Sequence, residues 1–198
     1  MMNLSPITLE GQFVKLVPLT SEHRDALVSA ATDGKLWELW FTSVPNEERV
    51  DDYLSMAFEQ QALGRALPFA VIDKHTGTVI GSTRFCNIDS KNRRLEIGYT
   101  WYAKRFQRTG VNTECKKLLL TYAFETLNVI AVEFRTHWHN QASRNAIARL
   151  GAKQDGVLRN HQIMADGCVR DTVVFSIIDG EWPMVKRSLE FKLAHVKY

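Results

Sequence analysis

The chain has 198 residues, is 45% hydrophobic and 24% charged, and carries a formal net charge of +3. That is enough chain for one domain with a sizeable core, and too weak and scattered a charge for a nucleic-acid surface. The three cysteines, Cys86, Cys115 and Cys168, are far apart and odd in number, which excludes a CxxC zinc site or disulfide framework and fits reduced thiols in the cytoplasm.

The opening "MMNLSPITLEGQ" lacks the apolar run of a signal peptide, and nowhere are there ~18 consecutive apolar residues to span a membrane. "FVKLVPL" (13–19) alternates and predicts a strand. Thr20 and Ser21 can cap a helix over 22–32, interrupted by Asp33 and Gly34. "KLWELWF" (35–41) predicts a short helical piece, and Pro45 and Asn46 introduce a longer helix over 47–64. The period then changes to two, giving strands over 68–73, 79–88 and 93–101 with turns at "HTG" and "DSKN".

An amphipathic helix follows over 109–127, then a buried strand over 130–138. Asn140 precedes a helix over 141–151, closed by Gly151. Strands over 153–164 and 168–178 flank an "ADG" hairpin turn, and a last helix covers 180–196. The order implies a single mixed α/β (α+β) domain over 1–198, with about seven strands and the C-terminal helix packed on it. The central three strands should form an antiparallel meander, and the strand–helix–strand unit after it should be locally parallel and right-handed.

The helix near Thr109 starts with no acidic cap. Its first four N–H groups lack intrahelical partners, its dipole places positive charge there, and Arg108 adds a full charge. Gly110 allows close approach to the backbone, so the features describe an anion site, most naturally for phosphate; a solvated first turn is the plainer alternative. Neither a P-loop nor a GxGxxG fingerprint is present.

"Q-R-T-G-V-N" (107–112) resembles the Q/R-x-x-G-x-G/A signature of the GNAT superfamily of acyl-CoA N-acyltransferases. "LEIGYTW" before it, the strand-Asn-x-x-Ser-helix-Leu-Gly segment "HNQASRNAIARLGA" after it, and the late "RNHQIMADGCVRDTVVFSI" hairpin are similar to the RimJ/RimL branch, named for ribosomal-protein N-terminal acetyltransferases. Asn112 departs from the signature, standing where the family has a small residue.

The resemblance implies a GNAT fold, a mixed sheet with helices on both faces, and acetyl-CoA as co-substrate. Gln107, Arg108, Thr109, Gly110, Val111, Asn112 and Thr113 would hold its pyrophosphate, and Asn112 could donate its amide. The strand from Glu96 to Tyr102 would splay from its neighbour, and pantetheine would pair with backbone near Thr100, Trp101 and Tyr102, one N–H serving as oxyanion donor. Asn140 would bind the pantetheine amides, or act only as a helix cap. Arg144 would reach an adenosine-side phosphate, or face solvent.

Acyl transfer to an amine requires a base for the amine, donors for the oxyanion and an acid for the thiolate. Glu96 points away from Leu95 and Ile97 and is the candidate base; the alternative is a pair with Arg84 or Arg94. The family often uses a Tyr on its second cofactor helix, but "QASRNAIARLG" has none, which moves the expected acid to Ser143. No cysteine has a base near it in sequence, so covalent catalysis is not expected.

His137 and His139 share a strand face with Arg135 but lack a third ligand, so no metal is expected. Trp37, Trp40 and Phe41, on one helical face, would wall the acceptor groove with His137; burial against the sheet is the alternative. The expected activity is acetylation of a primary amine, either a protein N-terminus or a small molecule, by a cytoplasmic monomer or homodimer. The alternative is a non-catalytic acyl-CoA-binding module. "EERVDD" (47–52) is the one acidic cluster that would suit a polyamine acceptor.

Overall fold

A computed structural model describes residues 4–196. The outer ends of the 1–198 domain and the first three residues of the opening segment lie outside the described residues. Among these the sheet has eight strands: β1 (Leu9–Glu10), β2 (Val14–Pro18), β3 (Leu67–Asp73), β4 (Val79–Asp89), β5 (Arg94–Tyr102), β6 (Ala131–His137), β7 (Lys153–Ile163) and β8 (Val169–Ile178). Their spatial order is β1-β2-β3-β4-β5-β6-β8-β7. The strand beyond the expected seven is β1, too short to show a periodicity. All pairings are antiparallel except β5 with β6.

The helices are α1 (Arg24–Thr32), α2 (Val50–Ala62), α3 (Val111–Thr121), α4 (Gln141–Leu150) and α5 (Trp182–Ala194). One face of the sheet, with Phe85, Leu95, Ile97 and Phe134, packs on Leu119 and Leu120 of α3 and Leu189 of α5. The other, with Ala70 and Trp101, packs on Leu27 of α1 and Leu54 of α2. The predicted 109–127 helix is shorter: α3 ends at Thr121, and a wide π-turn over Tyr122–Thr126 carries the chain on, closed by Leu127 N–H to the Tyr122 carbonyl. The expected "ADG" turn is formed, with Gly167 at φ 83° and a Met164 N–H to Cys168 carbonyl bond.

Glu114, the acidic residue in the first turn of α3, is turned away from its own helix end. Its buried carboxylate accepts from the backbone N–H groups of Gln12, Phe13 and Val14 at 2.7, 2.7 and 2.8 Å, anchoring the start of β2 to α3. Glu114→Gln leaves one of these donors facing an amide NH2, and a loss of about 2 kcal/mol is expected. Urea unfolding followed by circular dichroism checks this, and unchanged stability would show that the anchor contributes nothing.

Candidate active site

The parallel ladder between β5 and β6 is short. It joins Arg94, Leu95 and Glu96 to Ala131, Val132 and Glu133 and then stops, although both strands continue. Beyond Glu96, β6 is paired only with β8, and β5 only with β4. The β6-facing edge of residues 97–102 is therefore free of ladder partners, and an extended ligand with amide groups can add to it as a strand does. The splay expected after Glu96 is present.

A β-bulge shapes this edge. Ser82 pairs with Trp101 and Arg84 with Gly98, so Tyr99 and Thr100 together face Thr83. Tyr99 takes φ 51°, a left-handed conformation rare for a non-glycine residue. The bulge reverses the alternation of the strand: Leu95 and Ile97 pack with Tyr102 on the α3 side, and Trp101 turns to the α1–α2 side. Behind the bulge, the Lys116 ammonium donates to the Thr100 hydroxyl at 2.5 Å, and burial pushes its pKa down to about 8.

The strand leads into the loop before α3. The Gln107 side-chain amide donates to the Tyr102 carbonyl at 2.9 Å, so it ties the loop to β5 and is not spread toward a ligand. Arg108 is exposed and sits at φ 61°, bending the backbone. The Thr109 hydroxyl donates to the Phe106 carbonyl at 2.7 Å and accepts from the Val111 N–H at 3.3 Å. Gly110 is the N-cap and offers no side chain to the helix end, where the Val111 N–H is met by Thr109. Its φ of −69° suits any residue, so glycine is not required here by the backbone conformation.

Val111 is a core residue and Thr113 is buried, so within the expected phosphate set these two offer backbone. Asn112 spends its Oδ1 on the Tyr102 hydroxyl at 3.3 Å, which leaves its NH2 as the group to donate.

At the far side of the opening, Asn140 caps α4, its Oδ1 accepting from the Ser143 N–H at 3.0 Å. The cap orients Ser143, which is half-buried and whose hydroxyl makes no hydrogen bond among the described residues. Arg144 lies over the Trp138 ring, with its Cζ 4.3 Å from the centroid, and donates to the Trp138 carbonyl and to Gln141. It is neither free in solvent nor extended along the groove.

Glu96 is 8% exposed, on the face away from Leu95 and Ile97. Neither Arg84 nor Arg94 is its partner: its Oε2 accepts from Asn87 at 2.8 Å and lies 3.6 Å from Arg135. Arg94 pairs with Glu133. Burial holds the Glu96 pKa above the usual carboxylate value, against the lowering effects of Asn87 and Arg135. Asn87 escapes a sequence reading because strict alternation places it opposite Cys86, the residue that pairs with Glu96. An irregular stretch of β4, with Asn87 at φ 48°, brings it round.

The expected aromatic wall is formed in part. Trp40 lies 5.0 Å from His137 and 5.4 Å from Phe41 between ring centroids, and Phe41 lies 6.5 Å from His137. Trp37 does not join them. The helical piece is only a 3-10 turn over Leu36–Glu38, with Leu39 already extended, so the shared helical face does not exist and Trp37 packs into the α1–α2 core. The His137 ring is buried, its Nδ1 accepts from the His139 N–H at 3.0 Å, and burial lowers its pKa. It is a neutral ring with Nε2–H available to donate.

Burial pushes the Cys115 thiol up to about 12 and the Cys86 thiol higher, so neither is an activated nucleophile. Among the described residues no group of three or more His, Cys, Asp or Glu is placed to hold a metal ion. No described helix is long and apolar enough to cross a membrane.

Comparison with known proteins bears on this arrangement. Residues 14–153 match the family described as "Acetyltransferase (GNAT) domain". A Bacillus subtilis protein, YdaF, named as a ribosomal N-acetyltransferase, is 34% identical over 108 residues, 54% of this chain and 58% of its own length. The [ribosomal protein uS5]-alanine N-acetyltransferase of Escherichia coli is 25% identical over 130 residues, 65% of this chain and 66% of its own. The crystal structure of a GCN5-related N-acetyltransferase from Brucella melitensis superposes with a TM-score of 0.87 at 32% identity, covering 96% of this chain and 87% of that one. Mycobacterium smegmatis RimJ, solved with CoA-disulfide, superposes at 0.79 with 21% identity over 98% and 97% of the chains. The splayed strands, the uncapped helix after them and these matches lead to one assignment: the chain belongs to the GNAT acetyltransferase family and is an N-acetyltransferase.

Proposed function

We propose that the enzyme uses acetyl-CoA to acetylate a primary amine, with a protein N-terminal amine as the favoured acceptor, acting as one catalytic domain in the cytoplasm. The observation that carries this reading is the opening between β5 and β6, which has Glu96 on its wall and the uncapped α3 N-terminus beyond its end. The donor set fits the co-substrate: the N–H groups of α3 and the Arg108 guanidinium suit a pyrophosphate, and the open edge of residues 97–102 suits an amide-bearing arm. Acetyl-CoA would supply an activated acyl thioester.

The remaining work falls to the chain. Glu96, directly or through water, takes the proton of the acceptor ammonium, and burial raises its pKa above the usual carboxylate value, which makes it a stronger base than an exposed carboxylate. A backbone N–H around Thr100 to Tyr102 donates to the developing oxyanion. Ser143, held by the Asn140 cap, protonates the leaving sulfur. Trp40, Phe41 and His137 wall the acceptor side.

An α-amine, with a pKa near ~8, is easier to deprotonate than a lysine ammonium near ~10.4. The ribosomal-protein activities named for YdaF and the Escherichia coli relative point the same way. A polyamine suits the site poorly, because Glu47 and Asp51 of the acidic cluster are taken up by Arg24.

The test is mass spectrometry of peptides and small amines incubated with acetyl-CoA and enzyme. Acetyl on peptide α-amines is expected. Binding of CoA with no acetylated product from any amine would make the chain a binding module.

A further inference from the structure

The second notable feature of the acceptor side is Arg84. It is 1% exposed, and its Nε and Nη2 are buried with no hydrogen-bond partner. The carboxylates nearest in the sheet do not neutralise it: Glu96 is held by Asn87 and Arg135, and Glu133 by Arg94 and Arg135. A guanidinium taken out of water with unpaired N–H groups is costly, and cation–π contacts return only part of that cost.

Much of the local structure holds this side chain in place. Its Cζ sits 4.9 Å from the Tyr53 ring centroid and 4.0 Å from that of Tyr99. The Tyr53 hydroxyl donates to Ser82 at 3.1 Å and accepts from the Trp101 indole at 3.4 Å, which fixes that ring. Tyr99 reaches Arg84 from the left-handed position of the β5 bulge. Strain of that kind persists where the surroundings enforce it and is concentrated at functional sites.

Arg84 also lines a cavity of about 210 Å³, together with Gln60, Arg65, Cys86, Asn87 and Tyr99. The cavity adjoins the proposed base. Arg84 pairs with Gly98 and Cys86 with Glu96 across the same two strands. A Cβ on Gly98 would lie 3.0 Å from the Glu96 Oε1 and 3.1 Å from the Cys86 sulfur, so glycine here leaves room for both side chains. Asn87 belongs to both places, lining the cavity and donating to Glu96.

We propose that Arg84, with Arg65 at the rim, is a carboxylate-recognition site of the acceptor groove, selecting amines that carry an acidic group. This rests on the acetyltransferase reading above. Nε and Nη2 form one edge of the guanidinium fork, the edge that a carboxylate grips with two parallel hydrogen bonds, and a neutral amide matches it less well. Tyr99, 41% exposed, covers one face of the guanidinium and leaves its in-plane edge to a ligand. The carboxylate can belong to a free amino acid or to an acidic side chain beside a peptide's N-terminal amine.

The test has a binding arm and a kinetic arm. In the first, glutarate and its neutral diamide are titrated against wild type, Arg84→Met and Arg65→Ala, with thermal stability as the readout. Glutarate should stabilise the wild type, the diamide should not, and Arg84→Met should lose the effect. Arg65 is exposed, so Arg65→Ala keeps the fold and should weaken the effect even if Arg84→Met fails to fold.

In the second arm, amide-capped peptides with Glu or Gln at the second position are compared as acceptors, alongside free glutamate and glutamine. The wild type should prefer the acidic member of one pair by ~10-fold or more in kcat/KM, and Arg84→Met should bring that ratio near unity. Which pair shows the preference identifies the source of the carboxylate. Equal use of acidic and neutral acceptors, or no glutarate binding by a protein that binds acetyl-CoA, overturns the proposal and leaves the acetyltransferase reading standing. Glutarate binding lost in Arg84→Met, with no amine acetylated, supports the site and refutes the reading it rests on.

Discussion

Glu96→Gln should lower turnover at neutral pH by about 100- to 1,000-fold, the usual range for loss of a positioned general base. The substitution keeps the shape of the side chain and its Asn87 contact but removes the proton acceptor. The pH dependence has a definite sign. Burial raises the Glu96 pKa, so the wild-type rate should fall on the acid side as pH drops through that raised value, above the range of an ordinary exposed carboxylate. In Glu96→Gln that acid limb is absent, and the rate should climb as pH approaches the amine pKa near ~8, because free amine then forms without a base. Two pH–rate profiles of kcat decide it. Wild-type turnover in Glu96→Gln across neutral pH would make the carboxylate structural, a member of the Arg135–Glu133–Arg94 ion-pair network and nothing more.

The second large effect belongs to the loop before α3. Gly110→Val should weaken acetyl-CoA binding by about 3 kcal/mol, or ~100-fold, by placing methyl groups where a phosphate must approach the helix N-terminus. The φ of −69° is ordinary, so the backbone conformation does not exclude valine at this buried position, and circular dichroism separates a loss of binding from a loss of fold. Arg108→Ala is the milder companion: an exposed charge-assisted contact should raise KM for acetyl-CoA more than it lowers kcat, and more so at low salt. Titration calorimetry with CoA checks the first, and steady-state kinetics at low and high salt check the second. Wild-type affinity in Gly110→Val, with an intact circular dichroism spectrum, would remove the phosphate site from this loop.

Legibility in the sequence followed periodicity. The β3–β4–β5 meander, the hairpin of β7 and β8, and the uncapped start of α3 were readable because each rests on alternation, a turn residue or a missing cap within a few positions. What alternation could not reach were its own interruptions. The bulge at Tyr99 and Thr100 reverses which side of the sheet Trp101 and Tyr102 occupy, and the irregularity of β4 brings Asn87 to Glu96. Both depend on left-handed residues that are not glycine; Tyr99 carries no local signal of it, and Asn87 only the general tolerance of asparagine for that region.

Long-range demands were equally hidden. Glu114 reads as a first-turn residue of α3, yet its carboxylate serves β2 about a hundred positions away. Trp37 departs from the expected wall for a simpler reason: a 3-10 turn ends before a helical face can form.

The central claim is direct transfer from acetyl-CoA to an amine, and intact-mass spectrometry tests it in one experiment. The enzyme is incubated with acetyl-CoA in the presence and absence of an α-amine peptide. Acetyl is expected on the peptide amine and the enzyme mass should be unchanged in both samples, because Cys86 and Cys115 are held as thiols by burial. An acetylated cysteine that forms without peptide and is discharged when peptide is added would contradict it.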